Sequence, residues 1–295
     1  MKIIDAHHHI WQLSDLTWLS GPIQPRIFGN YDPIRRDYHA SEFIEDVNPH
    51  GVVASVYIQV NWPCGKEVAE ALWVHDVARN FDLPNAVIGY VDFSSENCRH
   101  IIEELAKLPL MRGIRQQLHW HQNPLYRFAT RPDIMMDSAW RNNFSLLQNF
   151  DWPFELQVFA SQMKNAAKLA SAFPETKMIL QHCGMPEDTS RNGMSLWLDG
   201  MKYLADRPNV FCKFSGLGTF LHKNSPNFIS DILGQCLKLF GSHRCIYGSN
   251  FPIEKIWTNY TDLIGSFRNS LSSLSQHEQD LIFYTNAKEI YKIDC

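Results

Sequence analysis

The segment Asp5-Ala-His7-His8-His9 sets two imidazoles two residues apart, close to the start of the chain. In an extended strand, alternation would put Asp5, His7 and His9 on one side and His8 on the other. Two inward imidazoles at that spacing can share one metal ion. Further chemistry-bearing residues sit where other apolar runs stop. His182 follows Ile179-Leu-Gln and precedes Cys-Gly-Met-Pro186, an abrupt exit that would display a side chain at a strand end. Asn250 holds the equivalent place in Tyr247-Gly-Ser-Asn250-Phe-Pro252. Arg115, Gln157, Lys213 and Ser215 end or interrupt three more runs. A lysine inside such a structure is costly unless it is paired or desolvated for a purpose.

The elements that must position these residues alternate along the chain. Strand-like apolar runs occupy 2–8, 52–60, 86–93, 111–118, 154–159, 177–181, 209–215 and 244–249. Several are continuous Val/Ile/Leu/Phe stretches, as expected of parallel strands covered on both faces. Helical patterns fill the gaps. Residues 65–81 would align Val68, Ala71, Leu72 and Ala78, and 95–108 would turn Ile101, Ile102 and Leu105 inward. A capping box at Ser275 and Glu278 opens the last helix.

Eight βα units predict an α/β chain folded as a (β/α)8 TIM barrel over 1–295, a single domain. A dinucleotide fold lacks its fingerprint, since Gly216-Leu-Gly218 has no third glycine at the required offset. Two connections exceed ordinary loops: residues 12–40 after the first strand and 118–132 after the fourth. Both carry aromatics and arginines, as lids over an active face do. In the second, His119, Trp120, Tyr126 and Arg127 could form a substrate wall, and His119 and His121 repeat the H-x-H spacing.

Composition narrows the class. With 45% hydrophobic and 20% charged residues, the chain has material for a large core. A net charge of −4 and no Lys/Arg run argue against a nucleic-acid partner. No apolar run is long enough for a signal peptide or a membrane span. Seven scattered cysteines without a C-x-x-C pair predict reduced thiols in a cytoplasmic protein.

Asp5-x-His7-x-His9-x-Trp11, His182 on the sixth strand and Gly248-Ser-Asn250-Phe-Pro252 on the eighth resemble the amidohydrolase superfamily. The likeness runs over nearly the whole chain. Within that superfamily the chain resembles the branch of lactonases and metal-dependent hydrolases that includes pyrone-dicarboxylate and sugar-acid lactonases. The resemblance implies a hydrolase whose site holds His7, His9, His182 and Asn250, with the three histidines as ligands of one divalent metal, zinc foremost, or of none. Asn250 stands where most relatives carry an aspartate, and an amide cannot serve as a general base. Gln157 stands where many use histidine.

A lactone suits this reduced set, because its ester is activated and its leaving group stays tethered. Arg115, Arg127 and Lys213 are candidates for holding an acidic substrate, with Gln157, His119 and Trp120 beside them. The expected function is therefore opening of a sugar-acid or aromatic-derived lactone by activated water. Two alternatives stand beside it: a catalytically reduced barrel that binds a small acidic ligand, and a metal-dependent decarboxylase. The only expected partner is a small molecule.

Overall fold

The computed structural model describes residues 1–295. All eight expected strands form: β1 (Ile3–His8), β2 (Val52–Ile58), β3 (Ala86–Gly89), β4 (Met111–Gln117), β5 (Phe154–Gln157), β6 (Met178–Leu180), β7 (Val210–Phe214) and β8 (Cys245–Tyr247). They pair in parallel in sequence order. The seam between β8 and β1 closes just past β8, where the His9 amide donates to the Phe251 carbonyl (2.7 Å) and the Asn250 amide to that of His7 (2.7 Å). The result is a nearly closed barrel with helices between the strands.

Two apolar layers follow from strand alternation. Inside the barrel, Ile4, Val56, Ile58, Ile88, Ile179 and Ile246 pack with Ala287, Ile290 and Tyr291, so the C-terminal segment takes part in the interior cluster. Outside, a larger cluster joins the strands to the helices, with Phe93, Trp140, Phe144 and Phe154 stacked edge-on or face-on at its centre.

The helix Glu67–Phe81 buries Ala71, Val74, His75 and Ala78, whereas Leu72, expected inward, is 47% exposed. The inward stripe is centred on Ala71 and Val74, and Leu72 lies at its edge. The helix expected over 95–108 is shorter, Cys98–Leu105, and the Ser275–Glu278 capping box forms as expected. No helix is long and apolar enough to cross a membrane.

β1 departs from plain alternation. Asp5 pairs with Ser55 and His8 with Tyr57, so three steps on β1 face two on β2. This bulge reverses the side-chain parity. Asp5 and His8 consequently share the outer face. His8 stacks on Phe43 of the helix Ala40–Val47 (ring centroids 3.9 Å apart), and Asp5 Oδ2 accepts from Tyr260 Oη (3.1 Å). The expectation that Asp5 shares a face with His7 and His9 is thereby corrected. An alternation count made on one strand cannot detect an extra residue relative to its neighbour.

Candidate active site

The bulge leaves His7 and His9 near each other inside the rim, with ring centroids 5.1 Å apart. His182 closes the group from the end of β6, 4.8 Å from His7. Its backbone is left-handed (φ 51°), as is that of Asn250 (φ 60°) after β8. Both residue types are among those enriched in this region, though any non-glycine residue enters it at a cost. Close approach is secured by two glycines. A Cβ on Gly216 would lie 2.3 Å from His182 Nδ1, and one on Gly248 would lie 2.5 Å from His7 Cβ.

Each ring meets a different environment. His9 Nδ1 lies 2.7 Å from the Ile58 carbonyl, so Nδ1 carries the proton and Nε2 keeps its lone pair. His182 Nδ1 is held at 2.9 Å by Ser215 Oγ. Both nitrogens of His7 are buried without a partner. Desolvation pushes all three imidazoles well below their ordinary value; His182, Lys213 and Arg115 add to this for His7, as Arg115 does for His9 and His182. The three rings are therefore neutral at pH 7.

A cavity of about 210 Å³ opens above them, lined by His9, Arg115, Gln117, His119, Gln157, His182 and Asn250. Arg115 donates from Nη2 to the Gln59 carbonyl, while its buried Nε has no partner. Burial lowers it only to about 10, so it remains a cation at neutral pH. His119, also in the wall, is lowered by burial to about 3 and has an unpartnered Nδ1. His7 lies beneath the cavity rather than on its surface.

The two long loops supply the outer wall. Trp18, Arg26 and Phe28 come from the first, with Trp11 just before it, and Tyr126, Arg127 and Phe128 from the second. Arg26 lies 4.9 Å over the Trp18 ring and Arg127 4.9 Å over that of Trp120. Arg26 was not singled out by sequence; its signal was an arginine amid the aromatics of an overlong loop. Trp120 supports Arg127 from outside the cavity, and His121 does not line it either.

Lys213 is the sequence candidate that the structure removes from the substrate. It is wholly buried, and its Nζ donates to Glu155 Oε2 (2.7 Å) and to the Ala6 carbonyl (2.9 Å). Tyr291 Oη and Gln181 Nε2 complete the carboxylate's partners. Desolvation lowers Lys213 to about 8 against the pull of Glu155. Its charge is satisfied inside the barrel, away from the cavity wall.

The histidines fit a metal ion in kind: they are neutral, two are anchored through one nitrogen, and His7 is without any partner. They are not drawn into one coordination sphere. The one group of donors all within 4.8 Å of one another is Cys183, Cys212 and Cys236, buried in the outer apolar layer. There the thiols pack as small hydrophobes.

Glu254 joins the site without having stood out in the sequence. It is wholly buried, four residues beyond Asn250, and its amide donates to the Asn250 carbonyl (3.2 Å). The only signal in the sequence was an acid soon after the strand-eight motif.

Comparison with known proteins gives one consistent picture. A family model described as amidohydrolase matches residues 4–293. An uncharacterized protein, y4mH, of Sinorhizobium fredii is 30% identical over 99% of both chains. An L-fucono-1,5-lactonase of Burkholderia ambifaria is 27% identical, covering 88% of this chain and 83% of its own. Among solved structures, an amidohydrolase from Burkholderia multivorans with bound zinc superposes with a TM-score of 0.84 at 22% identity, over all of both chains.

Proposed function

The chain belongs to the amidohydrolase family, and from that membership we propose that it is a hydrolase opening the lactone of a small acidic compound, a sugar acid or an aromatic-derived acid. The observation that carries this reading is the meeting of neutral imidazoles and the Arg115 cation in one cavity. The similarity to an L-fucono-1,5-lactonase supports the substrate class.

Attack of water on the ring ester needs three services. Asn250 and Gln157, both in the wall, orient the water by hydrogen bonds. The Arg115 guanidinium, in the cavity wall, donates to the carbonyl oxygen as negative charge develops there. The His119 imidazole, also in the wall, takes the proton from the attacking water and returns it to the ring oxygen when the C–O bond breaks. The developing oxyanion offsets the cost of a buried imidazolium. The alkoxide cannot diffuse away before it is protonated, because the opened ring still holds it.

His7, His9 and His182 would hold a divalent ion, zinc foremost. Such an ion supplies a more acidic water and polarises the carbonyl. Arg26 and Arg127 at the mouth would receive the substrate's carboxylate or hydroxyl groups. All seven cysteines are free thiols, which suits a cytoplasmic, reducing setting.

The test is a turnover panel of sugar-acid and aromatic-derived lactones, run after chelation and again with added zinc or manganese. Turnover of acidic lactones with restoration by metal is expected. Binding of those compounds without turnover, under every metal condition, would replace this reading with that of a catalytically reduced barrel.

A further inference from the structure

Four acidic side chains are wholly or almost wholly buried: Asp5, Glu70, Glu155 and Glu254. Three of them have partners. Asp5 accepts from the Ser249 amide (2.8 Å), Glu70 from Tyr57 (2.8 Å) and the Val60 amide (2.6 Å), and Glu155 from Lys213 (2.7 Å). Glu254 differs, since neither carboxyl oxygen has a partner at hydrogen-bonding geometry. Its neighbour in sequence, Lys255, turns away to Glu42 (2.6 Å) and Asp46 (2.7 Å).

The polar groups nearest the carboxyl are the Asn250 carboxamide and the Gly218 and Thr219 amides, none of them charged. Tyr247 on β8 is the titratable group that senses it. Space for the carboxyl exists because residue 218 has no side chain: a Cβ there would lie 2.2 Å from Glu254 Oε2. These neutral donors favour an ionised carboxylate, but the cost of burying its charge outweighs them. A neutral acid needs only one hydrogen-bond acceptor, and the Asn250 carboxamide, with its oxygen and nitrogen exchanged by rotation, supplies one through Oδ1.

We propose that Glu254 is the positioning residue for Asn250: as a neutral acid it donates to Asn250 Oδ1 and so turns the Asn250 Nδ2–H donors toward the cavity. An ionised Glu254 would accept from Nδ2 and present Oδ1 instead. One protonation state thus decides whether the cavity receives a donor or an acceptor at the strand-eight position. Burial raises Glu254 to about 8, in keeping with the neutral form at pH 7. The catalytic consequence rests on the lactonase reading; the state of the carboxyl does not.

Two measurements on the full chain separate these. The first is the infrared difference spectrum of wild type against E254Q across pH. A protonated-carboxyl band at pH 6 to 7, absent from E254Q and lost near pH 8, is expected. A Glu254 already ionised at pH 6 overturns the proposal, whether or not any lactone is turned over.

The second is a double-mutant cycle with an accepted lactone. E254Q, whose amide can still donate to Asn250 Oδ1, keeps kcat and loses the change in rate near pH 8. E254A lowers kcat by about tenfold, the scale of one lost oriented hydrogen bond, with KM unchanged. In an N250A background the same substitution has no further effect. An undiminished loss in that background overturns the proposal, because Glu254 would then act without Asn250. Loss of kcat in E254Q equal to that in E254A, with folding intact, overturns it as well.

Discussion

His182 Nδ1 stands 2.9 Å from Ser215 Oγ, so a hydroxyl at the end of β7 fixes the ring displayed at the end of β6. Neither residue is informative alone. Together they hold a left-handed histidine in one orientation, beside a glycine that leaves room for its ring.

Ser215→Ala should therefore lower kcat by about 10- to 100-fold, the range for removing the partner that orients such a ring. KM and the thermal midpoint should change little. Gly216→Ala should do worse, since its methyl would meet His182 Nδ1 and its backbone is left-handed (φ 63°). Steady-state kinetics with a thermal melt on both variants checks this; unchanged kcat in Ser215→Ala would show that the hydroxyl does not orient the ring.

Lys213→Met should act on stability, in contrast to a residue that touches substrate. Removing one member of a buried pair typically costs about 3–5 kcal/mol, because the other charge is left uncompensated. Lys213→Met combined with Glu155→Gln should recover much of that loss. Urea unfolding of wild type and the two variants measures it. A raised KM with normal stability in Lys213→Met would return this lysine to the substrate.

His119 gives the protein a share of its acid sensitivity. Its folded value, about 3, lies below the unfolded value of 6.5. Between these the unfolded chain binds the extra proton, so stability is complete above pH 6.5 and falls as pH drops toward 3. The slope from this group alone is about 1.4 kcal/mol per pH unit. His119→Gln should flatten the decline measured by urea midpoints between pH 7 and 5, and should also slow turnover if the ring moves the proton. An equally steep decline in the variant would mean that His119 is not buried as a neutral ring.

Arg26→Ala and Arg127→Ala should each raise KM for an anionic lactone by about tenfold while leaving kcat nearly unchanged, since binding at the mouth is uniform through the reaction. A neutral lactone of similar size should be affected little. Added salt should narrow the gap between wild type and variants for the anionic substrate. Equal effects on charged and neutral lactones would reduce both arginines to packing on Trp18 and Trp120.

Eight strands, the placing of His7, His9, His182, Asn250, Arg115 and Gln157 at strand ends, and two overlong loops could all be read from the chain. These are legible because apolar runs, turn residues and strand ends are local properties of the chain. Relations between distant segments emerge only once the chain is folded. The β1 bulge exists only relative to β2, and it sends Asp5 outward while His7 and His9 stay inside. Lys213 is neutralised by Glu155, 58 residues away, so its charge never reaches the cavity. Glu254 looks like an ordinary acid after a strand until burial strips it of water and Asn250 becomes its neighbour. Periodicity carries the direction of a side chain along one strand, whereas partner, register and desolvation are set by whatever the fold packs against it.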